Sequence, residues 1–135
     1  MEINIWSVVV ATVVAFIIGA IWYSPILFGK EWANLIGYND KEIDETKRKG
    51  IVKFYIIQLV VTFITFCILG FAMSAIETQT ASDGAIVGVL AWLGFIFPIS
   101  VGVVIWERQP FKLVLINTVN MLLSLVVGGA IIGAW

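Results

Sequence analysis

The chain has no histidine, one cysteine and few charged residues, and each shortage limits its chemistry. Charged residues make up 13% of its 135 residues and hydrophobic residues 61%, with a mean hydropathy of +1.04. Soluble domains are about a quarter charged, so this composition argues against a water-soluble domain. Without histidine the chain lacks the commonest general base and a leading metal ligand. Cys67 has no partner for an intrachain disulfide.

Four long runs of the sequence contain no charged residue: Ile3–Gly29, Phe54–Ile76, Gly84–Trp106 and Leu113–Trp135. Each meets the roughly 20 residues that a helix needs to cross a hydrocarbon core about 30 Å thick. The sequence therefore predicts an all-α membrane protein, one domain over residues 1–135. The predicted spans are 3–23, 51–76, 84–106 and 112–135. No run contains an acidic residue, which counts against the small four-helix multidrug pumps, because they depend on a membrane-embedded carboxylate.

The basic residues predict the orientation of this four-helix bundle. All eight Lys and Arg residues lie in the first and third connections, and the connection Glu77–Asp83 and both termini have none. By the positive-inside rule the first and third connections are cytoplasmic and both termini lie outside. We interpret the first run as a retained span of a multi-pass protein of the cell (inner) membrane, since no positive segment precedes it as in a signal peptide.

The first connection has two parts. Phe28, Trp32, Leu35 and Ile36 recur at helical spacing, which predicts a short amphipathic helix in the cytoplasmic interface, ended by Gly37. The alternative is an irregular loop anchored by aromatic residues. The stretch Asn39–Lys49 predicts a second, charged helix, held by pairs four residues apart. We interpret its basic end as a lipid anchor rather than a specific partner site.

Polar residues form one stripe on the second helix and one on the fourth. The stripes consist of Gln58, Thr62 and Thr65, and of Asn117, Asn120 and Ser124. Unpaired amides are costly in lipid, so both stripes should face protein, either each other or a neighbouring subunit. The stripes either form hydrogen bonds between helices that fix their packing or line a transport path.

Small residues and one proline mark further packing features. Ser7, Ala11, Ala15 and Gly19 recur every four residues, a stripe that lets another helix approach closely. In the third helix Pro98 removes a backbone donor and leaves the Gly94 carbonyl without its usual partner. This predicts a kink, which is a candidate hinge in a transporter or an ordinary membrane-helix proline.

Two interfacial segments contain the remaining candidate site residues: Trp22, Tyr23, Ser24, Pro25, Trp32, Glu107 and Arg108. Glu107 and Arg108 share a tight turn, which is either a proton or substrate contact or a solvated helix end. The segments Trp22–Trp32, Trp106–Asn117 and Gly129–Trp135 resemble the domain-of-unknown-function family 1761 of small bacterial membrane proteins. That resemblance implies a four-helix membrane protein and brings no activity or catalytic residues.

The sequence contains no catalytic constellation, no cofactor or metal motif and no basic nucleic-acid face. We therefore predict a non-enzymatic, homo-oligomeric membrane component that packs, scaffolds or binds lipid, with the lipid bilayer as its partner. The alternative is a small-solute channel or carrier formed by a homo-oligomer. A membrane enzyme acting through Ser24 and Glu107 is a third hypothesis.

The orientation can be tested with a tag fused after Trp135. Because the basic connections should be cytoplasmic, the tag should react with an impermeant reagent on intact spheroplasts. Labelling only after the inner membrane is opened would contradict the predicted orientation.

Overall fold

The computed structural model of the protein describes residues 4–36 and 51–135, which form helices joined by turns. The helices are α1 Ile5–Trp22, α2 Gly29–Ile36, α3 Ile51–Ala75, α4 Ala81–Trp106 and α5 Phe111–Ala134. All except α2 are long and apolar enough to cross a membrane, which confirms the prediction of four such helices. The predicted helix over Asn39–Lys49 lies outside the described residues.

The short helix α2 follows α1 closely and is amphipathic. Trp32, Leu35 and Ile36 are half-buried, whereas Lys30 and Glu31 are exposed. The end of the bundle beside α2, where α1 and α4 finish and α3 and α5 begin, is called the α2 end below. The opposite end, which contains Asn4, Thr80 and Trp135, is called the far end.

Local hydrogen bonds determine where the spans begin and end. The helix α4 begins at Ala81, three residues before the predicted boundary, because the Thr80 hydroxyl accepts the Asp83 N–H at 3.1 Å as an N-cap. Both α3 and α4 end with a residue in the left-handed region, Glu77 at φ 57° and Arg108 at φ 54°. At the end of α3 the Thr78 N–H donates to the Met73 carbonyl, the bond from residue six to residue one of a Schellman motif. At the end of α4 the N–H groups of Glu107 and Gln109 both donate to the Val103 carbonyl.

The helix α5 lies at the centre of the bundle and makes its most extensive contact with α4. Four glycines bring the two backbones together. A Cβ added at Gly84 would overlap the Gly129 carbonyl oxygen, and one at Gly88 would overlap that of Leu125. The reverse holds at Gly129, against Gly84, and at Gly133 a Cβ would overlap the Thr80 carbonyl oxygen. Only glycine permits this approach.

The predicted small-residue stripe of α1 is used within the chain over most of its length. Ser7, Ala11 and Ala15 are buried, and α1 packs against α5 and, less extensively, α3. Gly19 does not take part, because an added Cβ there would meet nothing within 4 Å. The close-packed part of α1 therefore ends near Ala15.

The packing of α3 differs between its two halves. Its buried residues are Phe66, Leu69, Gly70 and Met73, and the Phe66 ring occupies the space beside Gly128 where a side chain would be. With Val8, Ala11, Ala15 and Leu125 they form the core, which lies toward the far end. Between Val52 and Thr65 no residue is buried. The two predicted polar stripes therefore do not face each other within the chain, because α3 contacts α5 mainly through its other half.

The irregularity predicted at Pro98 takes the form of a π-helical turn. Residues Trp92–Ile96 are π-helical, and the Phe97 N–H donates to the Trp92 carbonyl five residues earlier. One extra residue is thus accommodated directly before the proline, a common way for a membrane helix to absorb a missing donor. Gly94, the predicted partner in the hinge, lies within this turn.

Two glycine substitutions on α4 separate close packing from local helix preference. Gly88→Ala should lower the free energy of unfolding by about 1–3 kcal/mol, because its methyl group overlaps the Leu125 carbonyl. Gly94→Ala is the matched control: nothing lies within 4 Å of the added Cβ, so its effect should stay below about 1 kcal/mol. Unfolding in mixed detergent measures both, and equal effects would contradict the close approach of α4 and α5.

Candidate functional site

Most polar side chains of the bundle that bond between helices gather around the first half of α5. This group, called the α5 polar cluster below, is supplied by α1, α4 and α5. Its members are Trp22, Tyr23, Trp92, Ser100, Asn117, Thr118 and Asn120. Four of them, Trp22, Tyr23, Asn117 and Asn120, belong to the predicted site residues, and Asn120 is included for its position beside the others.

A tight turn after α1 positions the aromatic part of the cluster. The Phe28 N–H donates to the Trp22 carbonyl at 3.0 Å, and the Gly29 N–H donates to the Ser24 carbonyl at 2.9 Å. A Cβ at Gly29 would overlap the Tyr23 carbonyl oxygen, so glycine is required where the chain enters α2. The Trp22 and Phe28 rings then pack against each other at a tilt of 42°, with centroids 4.5 Å apart.

From this turn, two neighbouring side chains bond to α5. The Trp22 indole Nε1–H donates to the Ile116 carbonyl at 3.0 Å, and the Tyr23 hydroxyl donates to Asn117 Oδ1 at 2.7 Å. Burial raises the pKa of Tyr23 to about 12, because the protein withholds the water that a phenolate needs. Tyr23 is therefore a neutral hydrogen-bond donor at any physiological pH.

On the other side of α5, helix α4 makes an equivalent set of bonds. The Trp92 indole Nε1–H donates to the Thr118 carbonyl at 2.9 Å. The Thr118 hydroxyl donates to Ser100 Oγ at 2.9 Å, and the Ser100 hydroxyl donates to the Ile96 carbonyl at 2.9 Å. One tryptophan from each side thus bonds to a backbone carbonyl of the same turn of α5.

Asn120 is the member of the cluster that lacks a partner. Its Oδ1 atom is buried and accepts no hydrogen bond from the described residues. Buried side-chain oxygens are nearly always paired in folded proteins. Ser124, the next predicted residue of this stripe, is half-buried.

The remaining predicted residues of the first interfacial segment, Trp22–Trp32, serve local structure. The Ser24 hydroxyl donates to the Ile21 carbonyl at 2.6 Å, which occupies it at the helix end. Pro25 is exposed. The Trp32 ring meets the Tyr23 ring edge-on with centroids 5.5 Å apart, and Glu31 pairs with Lys112 at 3.1 Å. The exposed ion pair contributes at most about 1 kcal/mol, yet it joins α2 to the start of α5.

A cleft of about 280 Å³ opens between the second half of α4 and the first half of α5, beside the cluster. Three polar residues, Ser100, Asn117 and Thr118, line it together with Phe95, Ile96, Ile99, Val103, Val114 and Met121. Phe95 and Ile99 are largely exposed, so the cleft opens outward on the side of the bundle. An apolar cleft with a few converging polar groups is the usual form of a small-molecule site.

The polar stripe of α3 lies apart from this cleft. The Gln58 side chain donates from Nε2 to Thr62 Oγ1 at 3.2 Å, and the hydroxyls of Thr62 and Thr65 donate to carbonyls one turn earlier. Gln58 and Thr65 are exposed, and none of the three lines the cleft. Within one chain the structure does not bring them together with Asn117 and Asn120.

A second, larger cleft of about 520 Å³ lies at the far end. Its lining includes Asn4, Ser7, Glu77, Gln79 and Trp135, none of them among the predicted site residues. Elsewhere, Glu107 and Arg108 lie exposed in the turn between α4 and α5.

Sequence reasoning missed Trp92, Ser100 and Thr118. A usable signal was present for Trp92, since it lies in the middle of a span rather than at the interface where tryptophans are usual. A buried indole N–H normally finds an acceptor, so Trp92 should have been expected to bond across helices. Ser100 and Thr118 gave no such signal, because either hydroxyl is commonly satisfied by its own helix.

The comparisons with known proteins give a family and no function. A family model described as "Protein of unknown function (DUF1761)" matches residues 6–133. Since this is nearly the whole chain, the chain belongs to that family, and the resemblance seen in the sequence is confirmed. No curated protein and no solved structure matches the chain significantly.

A double-mutant cycle tests the bond between Tyr23 and Asn117. Tyr23→Phe and Asn117→Ala should be coupled by about 0.6–1.7 kcal/mol in the free energy of unfolding, from the average to the largest coupling measured for interhelical hydrogen bonds in a membrane protein. Tyr55→Phe combined with Asn117→Ala is the control, because the Tyr55 ring packs against Phe16 instead. Coupling no larger than in the control would contradict the bond.

Proposed function

We propose that this member of the DUF1761 family is a non-enzymatic scaffold of the cell membrane, which self-associates through the half of α3 at the α2 end. That half comprises residues 52–65 and is called the free half of α3 below. In the membrane, the α2 end faces the cytoplasm and both termini lie outside, as the distribution of basic residues predicts.

The observation that carries this proposal is the polar stripe on the free half. Gln58 lies seven residues into α3, about 10 Å from its start at 1.5 Å per residue, so its amide is within the apolar part of the bilayer. No residue between Val52 and Thr65 is buried. The stripe therefore faces outward, where lipid offers no hydrogen bonds.

The hydrogen-bonding capacity of Gln58 favours a second copy as the partner. Its Nε2 donates to Thr62, whereas its Oε1 accepts no bond from the described residues. Across a two-fold axis, the same stripe on another chain presents a free amide donor and acceptor to this one. Such an arrangement satisfies both amides at once and excludes lipid from them.

The packing of the glycines supports α3 as the surface of association. The glycines Gly84, Gly88, Gly128, Gly129 and Gly133 are each in close contact within the chain. Small-residue stripes that are already occupied are not available to a second copy. The helix α4 also presents a largely exposed face, but the free half of α3 is the exposed face with a polar stripe.

Self-association should depend on the Gln58 amide. In liposomes, Gln58→Leu should weaken association by about 3- to 20-fold, the equivalent of about 0.6–1.7 kcal/mol in total. Gln79→Leu is the matched control, because it makes the same substitution in the exposed turn at the far end. Fluorescence energy transfer between labelled copies, read against protein-to-lipid ratio, measures both.

Cross-linking in a Cys67→Ser background locates the surface. Thr65→Cys, which lies on the same stripe and leaves the Gln58 amide in place, should form intermolecular disulfides. Ile64→Cys, about 100° around the same helix, should form far fewer. A monomer at every protein-to-lipid ratio, or equal cross-linking at both positions, would overturn the proposal. Solute flux through liposomes that is lost in Asn117→Leu/Asn120→Leu would instead favour a channel or carrier.

A further inference from the structure

The turn between α4 and α5 presents one acid and one base at the α2 end, next to each other in sequence and unpaired among the described residues. Glu107 and Arg108 are both exposed, and neither forms an ion pair within the described residues. The neighbouring cation, Lys112, is already paired with Glu31 at 3.1 Å. The Arg108 backbone is held at φ 54° by the bonds that close α4, so the turn has a defined geometry.

The cleft between α4 and α5 begins about one helical turn from this loop. Val103 and Val114, which line it, lie three residues before Trp106 and three residues after Phe111, at the two helix ends that the turn joins. Deeper in the cleft are Ser100 and Asn117, and then the largely exposed Phe95. The cleft is therefore a groove that runs from near the turn into the apolar part of the bundle.

Asn117 supplies a hydrogen-bond donor on the wall of the cleft. Its Oδ1 accepts the Tyr23 hydroxyl at 2.7 Å, which holds the amide in place. Its Nδ2 donates to none of the described residues, although Asn117 lines the cleft. An acceptor that enters the cleft would satisfy this amide, six residues or about 9 Å from the start of α5.

We propose that this turn and cleft bind one phospholipid with a zwitterionic headgroup that carries a primary amine, as in phosphatidylethanolamine. The phosphate lies at Arg108 and the ammonium at Glu107. One acyl chain fills the cleft, and an ester carbonyl accepts from the Asn117 amide. The inference stands apart from self-association through α3.

Charge complementarity decides between the lipid classes. A purely anionic headgroup would place a negative charge beside Glu107 and bring no positive charge of its own to offset it. A zwitterionic headgroup matches both charges of the turn. A primary ammonium also has N–H groups that donate to a carboxylate in a charge-assisted bond, which the quaternary ammonium of phosphatidylcholine lacks.

Native mass spectrometry of the delipidated, full-length protein tests the site. Phosphatidylethanolamine, phosphatidylglycerol and phosphatidylcholine with identical acyl chains are added separately. The wild type should retain the ethanolamine lipid at least about threefold more tightly than either of the others. Arg108→Gln should weaken all three, whereas Glu107→Gln should remove the preference for the ethanolamine lipid over the glycerol lipid and still bind both.

Two further variants separate the headgroup from the cleft. Ile99→Trp, at a largely exposed position that lines the cleft, should lower lipid retention with the headgroup contacts intact. Asp83→Asn removes an exposed charge at the far end and should change nothing. Thermal melting should show that all four variants remain folded, since each altered side chain is exposed.

Three outcomes would overturn the proposal. The first is tighter retention of phosphatidylglycerol than of phosphatidylethanolamine by the wild type. The second is equal retention of phosphatidylethanolamine by the wild type, Arg108→Gln and Glu107→Gln. The third is equal binding of glycerophosphoethanolamine, which has the headgroup and no acyl chains, because the cleft would then have no part in binding.

Discussion

The close approach of α4 to α5 is the constraint on which the rest of the structure depends. At Gly84, Gly88 and Gly129 the two backbones are near enough that an added Cβ would overlap a carbonyl of the facing helix. In lipid there is little hydrophobic drive to bring helices together, so association relies on close packing and hydrogen bonds. The central position of α5 follows, with α4 on one side and α1 on the other.

Once α5 is held in this way, its polar residues form hydrogen bonds with α1 on one side and α4 on the other. These bonds do not involve α3. Tyr23 bonds to Asn117, and Trp92 bonds to the Thr118 carbonyl. The helix α3 has its buried residues, such as Phe66 against Gly128, in the half toward the far end. Its free half has a polar stripe and no buried residue. Self-association would cover this half and pair its polar groups. The cleft proposed to bind a phospholipid also lies beside the contact of α4 with α5.

The sequence predicted what depends on composition and spacing. Charge-free runs identified the four spans, helical periodicity identified α2, and Pro98 identified the irregular part of α4. Choosing which faces meet requires depth and rotation, which a spacing pattern does not contain. The stripes of α3 and α5 looked complementary because both are polar, yet Asn117 bonds to Tyr23. The π-helical turn also rotates the helix beyond it, so the register of Trp92 and Ser100 against Thr118 could not be read from regular spacing.

Disulfide formation along the line between α3 and α5 tests the central claim most directly. Gln58 lies eight residues before Phe66, and Asn120 lies eight before Gly128, so the two pairs are at matching levels. A disulfide requires Cα atoms within about 7 Å. In a Cys67→Ser background, Phe66→Cys/Gly128→Cys should form an intrachain disulfide and Gln58→Cys/Asn120→Cys should not. An intrachain disulfide in the second pair would show that the free half of α3 packs against α5, and would contradict this account.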